Sequence, residues 1–352
     1  MAGWTNNDRP PVPQGAAGAA RQERGIVPRD QAGGQGEKNA RPSLLAGAFF
    51  CALGGAVASS TLSFVGPAFV GYGYLAVAPA GGVRARVSCL AAALVPAVAL
   101  ALAGGVSAVV SSVVACLAAL AVSELASSGR LTPGALCAAV ALVALALIGA
   151  DELAALSSGS TLSAGIGAML DAYQRQLDAL TGVGEQVDAV FAALALVWPV
   201  AYVVSAGALC VSALLGALVA SRAYGAEAAR LPRLADFDLP LWVVAVFVAS
   251  VAGIALALSV DGTLSRVALA VSANVALSVR FALAAQGLAV LAWVARDKGL
   301  GPLGRALVGV VALYLEVQFV VLTIAGLVDV WANFRHLERG GRPGASGQAM
   351  QD

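Results

Sequence analysis

Residues 240–260 read PLWVVAVFVASVAGIALALSV, a run without one charged side chain. At 1.5 Å per residue a helix of this length measures about 30 Å, the thickness of a bilayer's hydrocarbon core. In lipid every backbone N–H and C=O must be satisfied within the segment, so a lone apolar run of this length reads as a helix. Similar runs lie on both sides of it: 43–62, 64–80, 87–104, 106–126, 133–150 and 189–219 before, 266–295 and 305–331 after. The chain is 59% hydrophobic and only 12% charged, against roughly 45–50% and 25% in ordinary soluble domains. A water-soluble core could not hide that much apolar surface. The expected fold is therefore all-α, a polytopic transmembrane helical bundle over 43–335.

The polar breaks refine this reading. Residues 1–42 and 336–352 are rich in Gly, Ala, Pro, Gln and Arg, too poor in apolar groups to offset the entropy of ordering. They are expected to be disordered tails, and 1–42 is too long and polar for a secretory signal. Between the fifth and sixth runs, segment 151–188 opens on Asp151 and Glu152. It continues with Met169, Leu170, Tyr173, Leu177 and Leu180 at helical spacing opposite Asp171, Arg175 and Asp178. This predicts an amphipathic helix in the membrane interface, or a lid packed over the bundle mouth. Pro199 after Trp198 predicts a kink within 189–219.

Short-loop arginines set the orientation. Arg41, Arg84, Arg86, Arg130, Arg222, Arg230, Arg233, Arg296, Lys298 and Arg305 alternate with Asp151, Glu152 and Asp261 at the opposite ends, which fits a cytoplasmic N-terminus. Nine crossings would put Arg335, His336, Arg339 and Arg342 outside, against the same rule. An even count, about eight, is expected. Either one run does not cross fully, or 262–295 holds two short helices. Arginine carries nearly all the positive charge, and Ala, Gly and Val dominate, a usage that fits a GC-rich bacterial genome and a bacterial plasma membrane.

Several function classes lack their residues. A net charge of +1 offers nothing to nucleic acid. There is no phosphate-binding GxxxxGK[ST] loop, no HExxH and no GxSxG elbow, and the single histidine is His336. No catalytic residue, metal site or cofactor is expected. The five cysteines, Cys51, Cys89, Cys116, Cys137 and Cys210, sit apart in apolar runs and read as packing.

What remains are polar groups inside the runs. An ionised side chain at the bilayer centre costs about 2.5–3.5 kcal/mol on insertion scales, so each is a candidate. Asn274, Arg280 and Gln286 lie in 266–295, and Glu316 and Gln318 in 305–331. Arg280 and Glu316 can pair between neighbouring helices, as an inter-helix staple or as part of a solute site. A solute site predicts a polar cavity lined by these groups. Glu124 and Asp151, near run ends, are expected to be solvated. Asp329 and Arg335 read as an interfacial anchor. Ala48, Ala52 and Ala56 form a small-residue stripe suited to a partner helix.

Leu239-Pro240-Leu-Trp242, Asn274, Gln286-Gly287-Leu-Ala-Val290, Gly326-Leu-Val-Asp329 and Asn333-Phe-Arg335 together resemble the YybS-like family of bacterial membrane proteins, of unassigned function, over about 230–336. In that resemblance Gly287, Gly326, Asp329 and Arg335 are motif positions. Such proteins look distantly similar to the vitamin-binding S components of energy-coupling factor transporters, whose first helix often carries an Ala-xxx-Ala stripe, and to MreD-like membrane proteins. The resemblance implies a small-solute-binding or transport component, or else a non-catalytic scaffold of cell-envelope or division machinery.

Overall fold

The computed structural model describes residues 43–181, 184–224 and 234–335. The two tails, with Arg41, His336, Arg339 and Arg342, and segment 225–233, with Arg230 and Arg233, lie outside these. Among the described residues the structure is helical without a strand: α1 Leu44–Ala58, α2 Gly66–Ala101, α3 Gly105–Ser127, α4 Pro133–Ser157, α5 Leu162–Thr181, α6 Gly184–Val197, α7 Pro199–Tyr224, α8 Leu241–Ser259, α9 Thr263–Asp297, α10 Pro302–Phe319 and α11 Val321–Ala332. Six described segments are long and apolar enough to cross a membrane, and α1 and α11 are shorter apolar helices. The chain is an all-α helical membrane bundle.

Helix α2 is two arms. Gly82 carries φ 61° and ψ −151°, a conformation open to glycine, and the chain reverses there. On a straight helix residues 70 and 93 would lie about 35 Å apart. Yet Gly54 sits against Val70 and Gly55 against the backbone of Ala93. The expected runs 64–80 and 87–104 are thus separate passes, with Arg84 and Arg86 at their turn. Helix α1 packs into this hairpin through Gly47, Cys51, Gly54, Gly55 and Ala58, all buried. Ala48, Ala52 and Ala56 are only half-buried beside that face. Small residues let helix backbones approach closely where van der Waals contact, rather than water exclusion, drives association. Cys51, Cys89, Cys116 and Cys210 are buried free thiols and Cys137 is half-buried.

Helix α4 extends to Ser157, so Asp151 and Glu152 are helical rather than the start of a linker. Asp151 accepts from Ser107 Oγ (2.5 Å) and Tyr202 Oη (2.7 Å). Glu124 accepts from Tyr74 and pairs with Arg86 at 3.1 Å. Both carboxylates are half-buried rather than freely solvated, because neighbouring helices supply tyrosine partners to each. The amphipathic helix exists as α5, but Met169, Tyr173 and Leu177 are exposed. It is not a lid packed through its apolar face, since its contacts run to α6, where Gln174 donates to Asp188, and to the end of α4, where Glu152 accepts the Leu162 N–H. The expected kink at Trp198–Pro199 is a full break between α6 and α7.

The option of two helices in 262–295 is not realised. Helix α9 is continuous for 35 residues. The run 305–331 is the one that fails to be a simple crossing. It breaks at Val320, a β-branched residue at φ 58° and ψ 29°. Residues 280 and 297 are about 25 Å apart along α9, and residues 302 and 316 about 21 Å apart along α10. Because Arg280 bonds Glu316, α10 must fold back along α9. Helix α11 then turns again and runs with α9, Leu322 against Gly287 and Gly326 against Leu283. The last two helices form a hairpin that returns to the end it started from. Traced this way, α1, both arms of α2, α3, α4, α7, α8 and α9 pass between the two ends, an even number.

Candidate functional site

Asn274, Arg280 and Gln286 follow one another at six-residue steps, which on a helix turns each about 120° from the last. Helix α9 therefore addresses three neighbours. Each of these polar groups meets a place where another segment leaves helical geometry.

Asn274 Nδ2 donates to the Leu196 carbonyl at 2.8 Å, one of the last carbonyls of α6. Such carbonyls lose their intrahelical partners at a helix end. Arg280 meets the second break. Its Nε and Nη2 lie 3.3 Å from Glu316 Oε1, and Nη2 donates to the Glu316 carbonyl at 3.2 Å. The carboxylate also caps α11. Val320, at the cap position, has no side-chain acceptor, and Glu316 serves instead. Its Oε2 accepts the Thr323 N–H at 2.9 Å and its Oε1 the Thr323 hydroxyl at 2.6 Å. A carboxylate at a helix N-terminus is favoured by the unsatisfied N–H groups and the helix dipole.

Gln286 meets the third. Leu239 precedes Pro240, which disfavours helical backbone there, and its N–H finds Gln286 Oε1 at 3.0 Å. The amide of Gln286 donates to Asp329 Oδ2 (2.8 Å) and Asp238 Oδ1 (3.1 Å). Asn333, in left-handed conformation, ends α11 and turns the chain so that Arg335 reaches back to Asp329 at 2.8 Å. Arg335 Nη1 also donates to the carbonyls of Ala235 (2.8 Å) and Phe237 (2.9 Å). Arg335 and Asp329 side chains are fully buried. They form an internal ion pair, not the interfacial anchor that position in the sequence suggested. The apolar floor is Leu239, Val243, Val244, Leu283 and Val330.

Of the sequence candidates, the structure thus brings Arg280 to Glu316 and Gln286 to Asp329 and Arg335, with Gly287 and Gly326 at the α9–α11 crossing. Gln318 is exposed and stands apart. Sequence reasoning missed Thr323 and Asp238. Asp238, two residues before Pro240 in a loop, carried a weak signal; Thr323 carried none, since only the break at Val320 turns it toward Glu316. Two open clefts lie at the edges of this arrangement, the first sharing Asp238 and Leu239 with the Gln286 knot. One, of about 410 Å³, opens between Thr132–Ala135 and Asp238–Trp242, the other between α5 and α6. Among the described residues no cluster of His, Cys, Asp and Glu is suited to a metal.

Buried polar knots between apolar helices, with breaks pinned by side chains, define a polytopic α-helical membrane protein. More particularly, residues 83–330 match the family described as predicted membrane protein DUF2232, and the chain belongs to that family. No curated protein and no solved structure matches the chain.

Proposed function

We propose that the protein is a small-solute-binding or transport component of a bacterial plasma membrane, with the site at the α10–α11 break. One observation supports this most: Arg280 and Thr323 direct four hydrogen-bond donors at one carboxylate beside a non-helical joint. Transporters place solute sites at discontinuous helices for this reason, because half-helix ends present unsatisfied N–H and C=O groups. Neither of the two clefts reaches the cradle, so the polar cavity expected of a solute site is not among them, and in this reading Glu316 holds the place of the solute. Arg84, Arg86, Arg130, Arg222, Lys298 and Arg335 gather at one end of the traced bundle, which supports cytoplasmic placement of that end and of both termini. The YybS-like and S-component resemblance belongs to this proposal. Nothing in the family description points to catalysis.

A second reading, the non-catalytic MreD-like scaffold, is favoured by Gln286, whose donors and acceptor are used within the chain. There the polar groups are staples, and Ala48, Ala52 and Ala56 offer a helix contact. Native mass spectrometry from mild detergent separates the two. A retained small molecule, absent from a folded Arg280→Ala variant, is expected. A retained protein partner with no small molecule would establish the scaffold instead.

A further inference from the structure

We propose that the Arg280–Thr323 cradle binds a small monocarboxylate in place of Glu316, and that the solute enters as Glu316 takes up a proton. This rests on the solute-binding reading above and names its substrate class.

The donors stand ready without Glu316. Arg280 belongs to α9 and Thr323 to α11, and those two helices are fixed to each other. A Cβ on Gly287 would overlap the Leu322 carbonyl, and one on Gly326 the Leu283 carbonyl. Gln286 ties α9 to Asp329 farther along α11. The acceptor comes from α10, which is held far less. Leu303, Leu307, Val310 and Val317 on it are exposed, and Ala312 is its buried residue. The joint between α10 and α11 is Val320 in the left-handed region, strained for a β-branched side chain. Movement of α10 about Val320 would relieve that strain and lift Glu316 out of the cradle.

The group already held there shows the shape the cradle accepts. Oε1 takes both Arg280 nitrogens and the Thr323 hydroxyl, and Oε2 takes the Thr323 N–H. Two oxygens in a plane, one on the guanidinium edge, is carboxylate geometry. Chloride offers no second oxygen.

Charge decides the coupling. Arg280 and Glu316 cancel. A second anion in apolar surroundings would leave one uncompensated charge, which is costly. Other charged groups do not supply the balance. From α11 the neighbour is Thr323, while Asp329 faces Gln286 and Arg335. On α10 Arg305 bonds Leu300 at the far end, and Tyr314 is exposed. So one proton moves from water to Glu316 for each carboxylate bound, and Arg280 pairs with the newcomer. Binding then tightens about tenfold for each pH unit lowered, while Glu316 starts out ionised.

Calorimetric titration of the full chain in detergent with acetate, and separately with palmitate, tests this. Two buffers of different ionisation heat report the protons taken up, and chloride is the control. Expected is about one proton per carboxylate, with Glu316→Gln abolishing the uptake and the pH dependence, and Arg280→Gln weakening binding roughly tenfold or more. Acetate binding assigns a water-soluble solute. Palmitate binding alone assigns the same carboxylate chemistry to a membrane source. Binding of neither by the wild type and by a Glu316→Gln variant with native circular dichroism overturns the proposal. So does binding without proton uptake by the wild type, which decides the matter even if the variant fails to fold. If native mass spectrometry retains a solute while carboxylates do not bind, this inference falls and the solute-binding reading stands. If both fail, both fall.

Discussion

The Asp329–Arg335 pair shows what a single side chain can decide. Both side chains are withdrawn from solvent, and the pair holds Gln286 and the 235–239 loop through shared bonds. Removing one member of a buried pair costs about 3–5 kcal/mol when the other is left uncompensated. Without Asp329, Arg335 keeps only the more distant Asp238 carboxylate, 3.7 Å away, so the loss falls toward the lower end. Asp329→Asn should therefore lower the thermal midpoint in detergent sharply. The double variant Asp329→Asn with Arg335→Met should lose less than the two single losses added, since it removes both charges together. Additive losses would show that the two groups act separately. The anchor role drawn from position in the sequence failed at these residues for a physical reason. A span end looks interfacial until another segment covers it, and here the 234–240 loop does so.

At the scale of elements, close backbone approach is the device that recurs. Gly55 faces Ala93, Gly71 faces Ala213, Gly216 faces Ala68, and Gly287 faces Leu322, each with no room for a Cβ. Gly287→Ala should force α11 off α9, costing about 1–3 kcal/mol as overpacking does. Gly309 on α10 meets nothing within 4 Å, so Gly309→Ala should leave the thermal midpoint unchanged or raise it. Equal effects at both sites would refute the tight crossing. The joint offers a complementary test. Val320→Gly removes the penalty of a left-handed β-branched residue, about 1–2 kcal/mol, and should be tolerated in folding assays. A clear loss of stability would mean that the Val320 side chain, rather than the joint's geometry, holds the hairpin.

For the whole molecule the hairpin decides topology. Residue 298, after α9, and residue 335, after α11, should lie on one side of the membrane. Reporter fusions placed at Lys298 and after Arg335 should agree, and both should match a reporter at Arg130. Opposite signals at Lys298 and Arg335 would mean that α10 and α11 cross as one span, and that the α9–α10 contact at Arg280 is not the membrane arrangement.

Much of this was legible in the chain itself. Apolar runs of about twenty residues, polar breaks and a shortage of charge determine an all-helical membrane bundle. A long continuous apolar run satisfies its own hydrogen bonds in lipid as a helix, whereas a closed barrel uses shorter strands of alternating polarity. The alternation of Arg with Asp and Glu pointed to an even number of passes, about eight. The candidates Asn274, Arg280, Gln286, Glu316 and Gln318 stood out because polar groups are rare in such runs, while Asp329 and Arg335 were legible only as motif positions at a run's end. Composition did not separate a span from a hairpin, since α10, though the least apolar of the six candidate spans, is still apolar enough to cross, and the turn at Val320 uses a residue that signals no turn. Which polar groups meet, that α9 serves three breaks, and that Glu316 fills a cradle built by two other helices were decided only by tertiary structure. Those facts depend on contacts between residues far apart in sequence, which hydropathy, a property of neighbours along the chain, does not encode.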